Sequence, residues 1–323
     1  MPSTATAGPK KVLLAAPRGY CAGVDRAVQT VERALEVHGA PVYVRKEIVH
    51  NRHVVEQLAG RGVVFIDDER EAPAGARIVF SAHGVSPAVH KRSAQIGHVS
   101  FDAVCPLVTK VHREVRRFAA DGYDVVLIGH AGHEEVEGTM AQAPGIRLVE
   151  RVEDVEHLEV RDPARVAWVT QTTLGLDETE QIVARLRHRF PAIVGPRKED
   201  ICYATTNRQQ AVKELAKRCD LVLVVGSANS SNSRRLVETA RSCGTRAELI
   251  DDSSEVLEAW LEDVDVVGVT AGASAPEDLV QGLVAFFAQR GTKRIQDLRV
   301  ELESVRFPLA RGWLEPAGAA DRA

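Results

Sequence analysis

Three cysteines occupy positions that suit metal ligation. Cys21 lies in GYCAGV, Cys105 in DAVCPLVTKVH and Cys202 in EDICYATTNRQ, each at or just before the start of an expected helix. A helix N-terminus stabilises the thiolate, which is the form that ligates metals. Three thiolates without a nearby fourth do not match a four-ligand zinc site, whereas an iron–sulfur cube held by three cysteines leaves one iron open. The alternative is that they are small buried apolar residues.

The other two cysteines lie at the ends of expected helices rather than at their starts. Cys219 (AKRCDLVLVV) and Cys243 (ARSCGTR) fall at expected helix C-termini, just ahead of the next strand. There the helix dipole disfavours a thiolate, and the position lies at the opposite edge of a parallel sheet. We therefore predict that these two cysteines are structural.

Four histidines follow expected strands, namely His50, His83, His130 and His133, and Glu135 comes two residues after the last. The carboxyl ends of parallel strands gather at one edge of a sheet, which is where such sheets bind ligands. We predict that these residues face a ligand. The alternative is that the histidines are solvated loop residues and that Glu135 only complements a helix dipole.

Hydroxyl and amide side chains open two further expected helices, within 225–236 (VGSANSSNSRRL) and 270–277 (TAGASAPE). Such side chains, next to free backbone N–H groups, form an anion site. Simple N-capping is the alternative for each residue taken singly. With the histidines added, the pocket suits a diphosphate better than a carboxylate. The candidates here are Ser230, Ser231, Asn232 and Ser274.

Thr172 and Thr173 end another expected strand, where they could orient a substrate hydroxyl. Other catalytic signatures are missing from the sequence. It contains no phosphate-binding G-x-x-x-x-G-K-[ST], no H-E-x-x-H, no G-x-S-x-G and no strong dinucleotide fingerprint.

Strands alternating with helices must position these side chains. Such alternation predicts an α/β protein with parallel sheets covered on both faces. The expected strands are 11–16, 41–44, 77–81, 124–129, 165–170, 221–226 and 264–270. The expected helices are about 22–38, 51–60, 86–96, 106–121, 176–190, 206–218, 231–243 and 276–290.

The cysteine spacing predicts three similar small α/β units. These are 11–105, 106–201 and 202–291, followed by a C-terminal segment and tail at 292–323 that includes PAGAADRA. A pseudo-threefold arrangement of the units would bring Cys21, Cys105 and Cys202 together at its centre.

Composition narrows the class of protein. The 323 residues are 45% hydrophobic and 27% charged, which excludes a disordered or coiled-coil chain. The net charge of −4 gives no general attraction for nucleic acid or membranes. Apolar runs are too short to span a bilayer, and the leader MPSTATAGPKK lacks a signal-peptide core. Five cysteines are too few, and odd in number, for a disulfide framework, so we expect a cytoplasmic protein with reduced thiols.

The ordered motifs GYCAGV, EIVHN, SAHGV, DAVCPLVTKVH, GHEEVEGT, QTTL, ICYATTNRQ, GSANSSNS and AGASAPE closely resemble the 4-hydroxy-3-methylbut-2-enyl diphosphate reductases. That family catalyses the last step of the non-mevalonate isoprenoid pathway. The resemblance covers about residues 11–310. It implies three α/β units around a central 4Fe-4S cluster, with one cluster per chain.

The resemblance also implies roles for individual residues. Cys21, Cys105 and Cys202 would ligate the cluster, Glu135 would be the catalytic acid, and Thr172 would lie near the substrate hydroxyl. The residues implied for diphosphate binding, with His133 in the same pocket, are His50, His83, Ser230, Ser231, Asn232 and Ser274. Many family members have Pro where Glu134 stands, so this chain has an extra carboxylate there.

The implied reaction is the reductive dehydroxylation of (E)-4-hydroxy-3-methylbut-2-enyl diphosphate to isopentenyl and dimethylallyl diphosphate. The open iron would polarise the C–O bond, and Glu135 would protonate the departing hydroxide. A ferredoxin or flavodoxin would supply the electrons. The family suggests a monomer or weak dimer without a nucleic acid or membrane partner.

Three other functions remain open at the level of sequence. An iron–sulfur hydro-lyase acting on a small anionic substrate would use the open iron without needing a reductant. A non-catalytic iron–sulfur sensor would not need Glu135 beside a phosphate pocket. A zinc hydrolase would contain zinc and no iron.

Overall fold

The computed structural model describes residues 8–309 and forms two compact units. The first unit contains residues 8–21, 50–54 and 202–305, and the second contains 22–49, 55–201 and 306–309. The start of the leader and the tail PAGAADRA lie outside the described residues. None of the helices within 8–309 combines the length and apolarity needed to cross a membrane.

Strands and helices alternate along most of the described chain. The strands are β1 (Lys11–Ala16), β2 (Val42–Arg45), β3 (Val63–Ile66), β4 (Arg77–Phe80), β5 (Val99–Asp102), β6 (Asp124–Ile128), β7 (Arg147–Val149), β8 (Val166–Thr170), β9 (Leu221–Val225), β10 (Arg246–Ile250), β11 (Val266–Ala271) and β12 (Arg294–Arg299). The helices are α1 (Ala22–His38), α2 (Arg52–Gly60), α3 (Pro87–Ile96), α4 (Pro106–Ala120), α5 (Glu134–Met140), α6 (Leu176–Arg189), α7 (Tyr203–Ala216), α8 (Ser231–Ser242) and α9 (Glu277–Gln289).

The first unit is built on a five-stranded parallel sheet with the strand order β10-β9-β11-β1-β12. Strand β1, the first strand within residues 8–309, thus pairs with the last two strands of that range. This pairing crosses the boundaries expected from the cysteine spacing, which grouped 11–16 with 17–105. The division of the chain at 105/106, 201/202 and 291/292 stays a prediction.

The second unit contains two smaller parallel sheets, with the orders β3-β2-β4-β5 and β7-β6-β8. All five residues of β6 are buried, as expected for a strand with both faces covered. The α/β class with three parallel sheets is therefore confirmed.

Alternate residues of β1 build the two faces of the five-stranded sheet. Val12 and Leu14 pack into one apolar cluster, and Leu13 and Ala15 pack into another on the opposite face. Successive strand side chains point to opposite faces, so a continuous apolar run is the signature of this arrangement. Each fully buried Val or Leu stabilises the fold by about 1.5–3 kcal/mol.

Six elements fall outside the expected set, namely β3, β5, β7, β10, β12 and α5. The strands among them are short or polar. β12 (RIQDLR) is an edge strand with several exposed residues, so it lacks an apolar run. Helix α5 has seven residues, fewer than a periodic pattern needs to be recognised.

Candidate active site

The three predicted cysteine ligands precede helices in the folded chain. Cys21 directly precedes α1, and Cys105 and Cys202 are the N-caps of α4 and α7. All are partly buried, and none of the five cysteines, which all lie within the described residues, forms a disulfide there. Pro106 occupies the first position of α4, where its missing N–H is harmless.

A chain of hydrogen bonds in the first unit leads from Cys202 to Cys21. Asn232 accepts the N–H of Ala273 at its Oδ1 (2.9 Å), so its amide nitrogen is the atom that donates to Thr205 Oγ1 (3.4 Å). Thr205 Oγ1 lies 3.2 Å from Cys202 Sγ, and the Thr205 N–H also donates to that sulfur. If the sulfur is a thiolate it can only accept, and the Thr205 hydroxyl then donates to it as well. Ala273 in turn accepts the N–H of Cys21.

The remaining two cysteines differ from these three in their surroundings. Cys219 packs against the apolar cluster of the five-stranded sheet, and its burial raises the pKa of the thiol to about 12. Cys243 is the C-cap of α8 and is exposed. Neither environment favours a metal-binding thiolate shielded from solvent.

Serine and asparagine side chains at the start of α8 are buried next to the end of β11. Ser230 is the N-cap of α8, and its Oγ accepts the N–H of Ser233. Ser274 Oγ lies 3.4 Å from Ser230 Oγ and donates to the main-chain oxygen of His50. Both the capping role and the clustering of hydroxyls are therefore present. Ser230, Ser231, Asn232 and Ser274 are each at least 94% buried.

The His50 segment is held in the first unit by groups at the ends of β9 and β10. The N–H of Arg52 donates to Ser227 Oγ, and His53 Nε2 lies 2.9 Å from Asp252 Oδ2. Asn229 Nδ2 lies 3.5 Å from His50 Nδ1. These contacts fix the loop that carries His50, which is itself 9% exposed.

In the second unit, His133 is the N-cap of α5. Its Nδ1 accepts the N–H of Glu135 at 3.1 Å, so Nδ1 carries no proton and the ring hydrogen lies on Nε2. The Nε2–H group can therefore donate to an anion. His83 lies edge-on to this ring, with 5.7 Å between the ring centroids.

Glu135 lies in the first turn of α5 and is only 3% exposed. Its Oε1 accepts the N–H of Thr172 (2.7 Å), and its Oε2 lies 3.0 Å from Thr172 Oγ1. A main-chain N–H can only donate, whereas a hydroxyl can donate to a carboxylate or accept from a carboxylic acid. Oε2 is therefore the oxygen that can gain or lose a proton without losing its partner.

Glu134 contacts His83, one of the residues predicted to bind diphosphate. Glu134 Oε2 lies 3.1 Å from His83 Nδ1, and Ser81 Oγ lies 3.4 Å from the same nitrogen. Because a carboxylate only accepts, the Nδ1 of His83 carries the hydrogen in this pair. Such a partner fixes the orientation of the imidazole ring.

The predicted residues His130 and Thr173 both bind the side chain of Gln171, and Thr205 is a site residue that the sequence analysis did not predict. Gln171 Oε1 accepts the main-chain N–H of His130, and Gln171 Nε2 donates to Thr173 Oγ1. Sequence reasoning also missed Thr205, which is 1% exposed and contacts Cys202. Its signal was its position three residues after a helix N-cap, where a capping contact is expected.

The chain is similar to proteins named as reductases. The family model described as LytB protein matches residues 12–288. A Nocardia farcinica protein named 4-hydroxy-3-methylbut-2-enyl diphosphate reductase is 59% identical over 304 residues, covering 94% of this chain and 90% of that protein. A Bordetella pertussis protein of the same name is 58% identical and covers 97% of this chain and 96% of that protein.

Solved structures agree with these similarities. The E-1-hydroxy-2-methyl-but-2-enyl-4-diphosphate reductase of Plasmodium falciparum has a TM-score of 0.92 and 37% identity, covering 95% of this chain and 97% of that one. A second structure, of (E)-4-hydroxy-3-methyl-but-2-enyl diphosphate reductase, has a TM-score of 0.62 and 30% identity, covering 86% and 99%. With the family match extending over most of its length, the chain belongs to the LytB protein family.

Proposed function

We propose that the protein is an oxidoreductase that removes the hydroxyl group of (E)-4-hydroxy-3-methylbut-2-enyl diphosphate. The substrate takes up two electrons and two protons, the C–O bond breaks, and water leaves with isopentenyl or dimethylallyl diphosphate as product. The observation that carries this proposal is 59% identity, over 94% of the chain, to a protein named for that reductase activity.

Cys21, Cys105 and Cys202 would hold a 4Fe-4S cluster. The donor set fits, since these are soft sulfur ligands at helix starts and Cys202 Sγ already accepts the main-chain N–H of Thr205, a contact that stabilises a thiolate. When bound, the cluster would pass on the two electrons of the external donor one at a time and would offer an open iron able to polarise the C–O bond. The role of the protein is then to bind the diphosphate, orient the alcohol and deliver a proton.

The diphosphate would be bound by imidazole, hydroxyl and amide donors. His133 offers its Nε2–H, and His83 with Glu134 as partner offers a second imidazole. Asn232 Nδ2 has two hydrogens and uses one on Thr205, so the other is available to a phosphate oxygen. The full proposed set is His50, His83, His133, Ser230, Ser231, Asn232 and Ser274.

Glu135 would be the proton donor to the departing hydroxide. The proton would leave from Oε2, the oxygen next to the Thr172 hydroxyl, while Oε1 stays fixed by the main-chain N–H of Thr172. Thr172 would also orient the substrate alcohol. General acid catalysis of this kind contributes about 10²–10⁴-fold to a rate.

The remaining expectations complete this proposal. Three α/β units would surround the cluster, a ferredoxin or flavodoxin would deliver the electrons, and the protein would act in the cytoplasm as a monomer or weak dimer. They follow from the family resemblance and from the sparse cysteines of the sequence.

The testing experiment measures iron and acid-labile sulfide in protein purified without oxygen, then turnover with and without a reductant. We expect four irons and four sulfides per chain by 4Fe-4S stoichiometry, and turnover only with the reductant. Turnover without a reductant would instead indicate a hydro-lyase, and zinc without iron would indicate a hydrolase.

Two matched cysteine variants refine this test. Cys105→Ser should lose the brown colour, since a ligand is removed. Cys219→Ser should retain both colour and activity, because Cys219 packs against the sheet core. Loss of the brown colour in Cys219→Ser would show that Cys219 was wrongly assigned as a structural cysteine.

A further inference from the structure

The three helices that follow the candidate cysteine ligands share a feature beyond their N-terminal cysteine. Each carries a cation in its second turn: Arg26 on α1, Lys110 on α4 and Arg208 on α7. They stand five, five and six positions after the cysteine that precedes each helix. All three side chains donate to main-chain carbonyl groups far away in sequence.

Arg26 binds the chain that leads into Cys105. Its guanidinium donates to the carbonyl oxygens of Val104 (2.9 Å) and Asp102 (3.3 Å), the first of which directly precedes that cysteine. The third nitrogen, Nε, donates to the carbonyl oxygen of Pro308 (2.9 Å). The side chain thus fixes the turn between β5 and α4.

Lys110 binds the chain that leads toward Cys202. Its Nζ donates to the carbonyl oxygens of Lys198 and Glu199 and to Asp200 Oδ1 (2.8 Å). The Asp200 side chain is fully buried. Three acceptors on consecutive residues therefore meet one ammonium group, which uses all three of its hydrogens.

Arg208 binds the chain that leads into Cys21. Its guanidinium donates to the carbonyl oxygens of Gly19 (2.7 Å) and Tyr20 (3.4 Å), and the side chain is 0% exposed. Glu303 supplies the counter-charge at 2.9 Å. A buried guanidinium persists only when such partners are present.

The three contacts follow one cyclic order. The cation on α1 binds the main chain before Cys105, the cation on α4 binds the main chain before Cys202, and the cation on α7 binds the main chain before Cys21. Other arginines also donate to main-chain carbonyl groups without a cysteine next to those groups; Arg189 on α6, for instance, donates to Val155 and Leu158. Metal ligands, in contrast, have to be held within about 0.5 Å of their productive positions.

We propose that Arg26, Lys110 and Arg208 are a repeated set of positioning residues. Each fixes the main chain before one cysteine and thereby controls how firmly the chain retains its iron–sulfur cluster. This inference rests on the proposed function only in that the cysteines are cluster ligands. It assigns the cations no contact with substrate.

The test compares Arg26→Met, Lys110→Met and Arg208→Met with the control Arg189→Met. Methionine keeps an unbranched side chain and removes the donors. The first measurement is the rate of iron release to a ferrous chelator without oxygen, and the second is the electron paramagnetic resonance signal of the reduced cluster. Urea unfolding is measured in an independent experiment, so that iron release can be compared with stability. Should a Met variant fail to fold, the Gln variant at the same position, which removes the charge and keeps a polar side chain, replaces it; Arg26→Lys, Lys110→Arg and Arg208→Lys are the conservative variants that keep the charge.

We expect the three site variants to release iron about tenfold faster than the unaltered protein and to show a changed resonance signal. The conservative variants should restore most of the retention. Arg189→Met should release iron at the original rate even where it lowers the free energy of unfolding. Equal release from all four Met variants, or release that only follows unfolding, would overturn the inference while leaving the proposed function intact. Unaltered protein that holds no cluster would overturn both.

Discussion

At the scale of single residues, the contact between Glu135 and Thr172 assigns a different task to each carboxylate oxygen. The oxygen that faces the main-chain N–H serves as an anchor, and the oxygen that faces the hydroxyl can exchange a proton. A glutamine at this position would keep both contacts, because its carbonyl oxygen can accept from the N–H and its amide can donate to the hydroxyl.

Glu135→Gln should therefore preserve the fold and the cluster while lowering turnover by about 10²–10⁴-fold. Steady-state turnover with a chemical reductant, together with iron content, measures this effect. Glu137→Gln is the control, since Glu137 is an exposed residue of the same helix. Turnover of Glu135→Gln equal to that of the control would refute the acid assignment.

If the proposed cluster is bound, Thr205 should affect its reduction potential, since hydrogen bonds to ligand sulfurs raise such potentials. Thr205→Val removes the hydroxyl next to Cys202 and should lower the potential, while Thr205→Ser should not. A shift of about 59 mV corresponds to a tenfold change in a one-electron equilibrium. Anaerobic redox titration of the substrate-free protein measures it, and equal potentials in both variants would contradict the expectation.

The sequence alone was sufficient to place the cysteines at helix starts, because Gly, Pro and Asp residues mark the turns before them. It could not show that Thr172 holds Glu135. Those residues are 37 positions apart, and their contact depends on β8 ending next to α5. Pairings of that kind depend on tertiary structure.

At the scale of elements, helix α5 and the loop after β4 pack with little space between their backbones. A Cβ on Gly138 would lie 3.1 Å from the carbonyl oxygen of Gly84, which itself has a φ of +80°. The loop carries His83, and the helix carries Glu134 and Glu135. This packing therefore sets the distance between these side chains.

Gly138→Ala should push α5 away from the loop. We expect a loss of about 1–2 kcal/mol in the free energy of unfolding and weaker binding of inorganic diphosphate. Gly282→Ala in α9 is the matched control: nothing lies within 4 Å of its added Cβ, so it should gain up to about 1 kcal/mol. Urea unfolding and calorimetry measure both, and a stabilised Gly138→Ala protein would show that the close packing is not required.

Helix α4 carries a histidine that makes the fold sensitive to acid. His112 is 6% exposed; burial, with Arg116 and His90 nearby, lowers its pKa to about 4. Its pKa in the unfolded chain is higher, so the unfolded state takes up a proton first and stability is lost as the pH falls from about 6.5 toward 4.

Between pH 7.5 and 5.5, the unaltered protein should lose about 1 kcal/mol more of its unfolding free energy than His112→Gln. Urea unfolding at the two pH values measures the difference. His188→Gln, which changes an exposed histidine of α6, should behave like the unaltered protein. Parallel pH profiles for His112→Gln and the unaltered protein would contradict the role of burial.

Most helices begin and end within one or two residues of their expected positions, because their apolar periodicity is strong. Helix α7 starts three residues earlier, at Tyr203, since Cys202 caps it directly. Strand β12 was not predicted, because it forms only by pairing with β1. Its Ile295 and Leu298 pack on the sheet, and the residues between them are exposed. The sequence of 294–299 by itself does not indicate that β1 will lie next to it.

At the scale of the whole molecule, Arg208 joins three distant parts of the chain within the first unit. It contacts residues 19–20, its own helix and Glu303 near the end of the described chain. Composition and strand–helix alternation predict the α/β class. They do not predict this junction, because a single buried arginine has no periodic signal.

Glu303→Gln should lower the free energy of unfolding by about 2–3 kcal/mol, since it leaves a buried guanidinium without its counter-charge. Glu301→Gln, at an exposed position two residues earlier, should leave it within about 0.5 kcal/mol. Urea unfolding of both variants measures the difference. Equal stabilities would show that the carbonyl groups alone suffice to hold Arg208.

The position of β1 between β11 and β12 has a consequence for synthesis of the protein. Lys11 is opposite Val266 on one side and Arg294 on the other, so β1 leaves the ribosome long before either of its partner strands. At about 5–20 residues per second, β1 waits on the order of 15 to 60 s for them. The sheets of the second unit, whose strands are contiguous in sequence, can form during that interval. The segment VLLAA of β1 is without these partner strands during that time, and the five-stranded sheet is completed only after β12 has been translated.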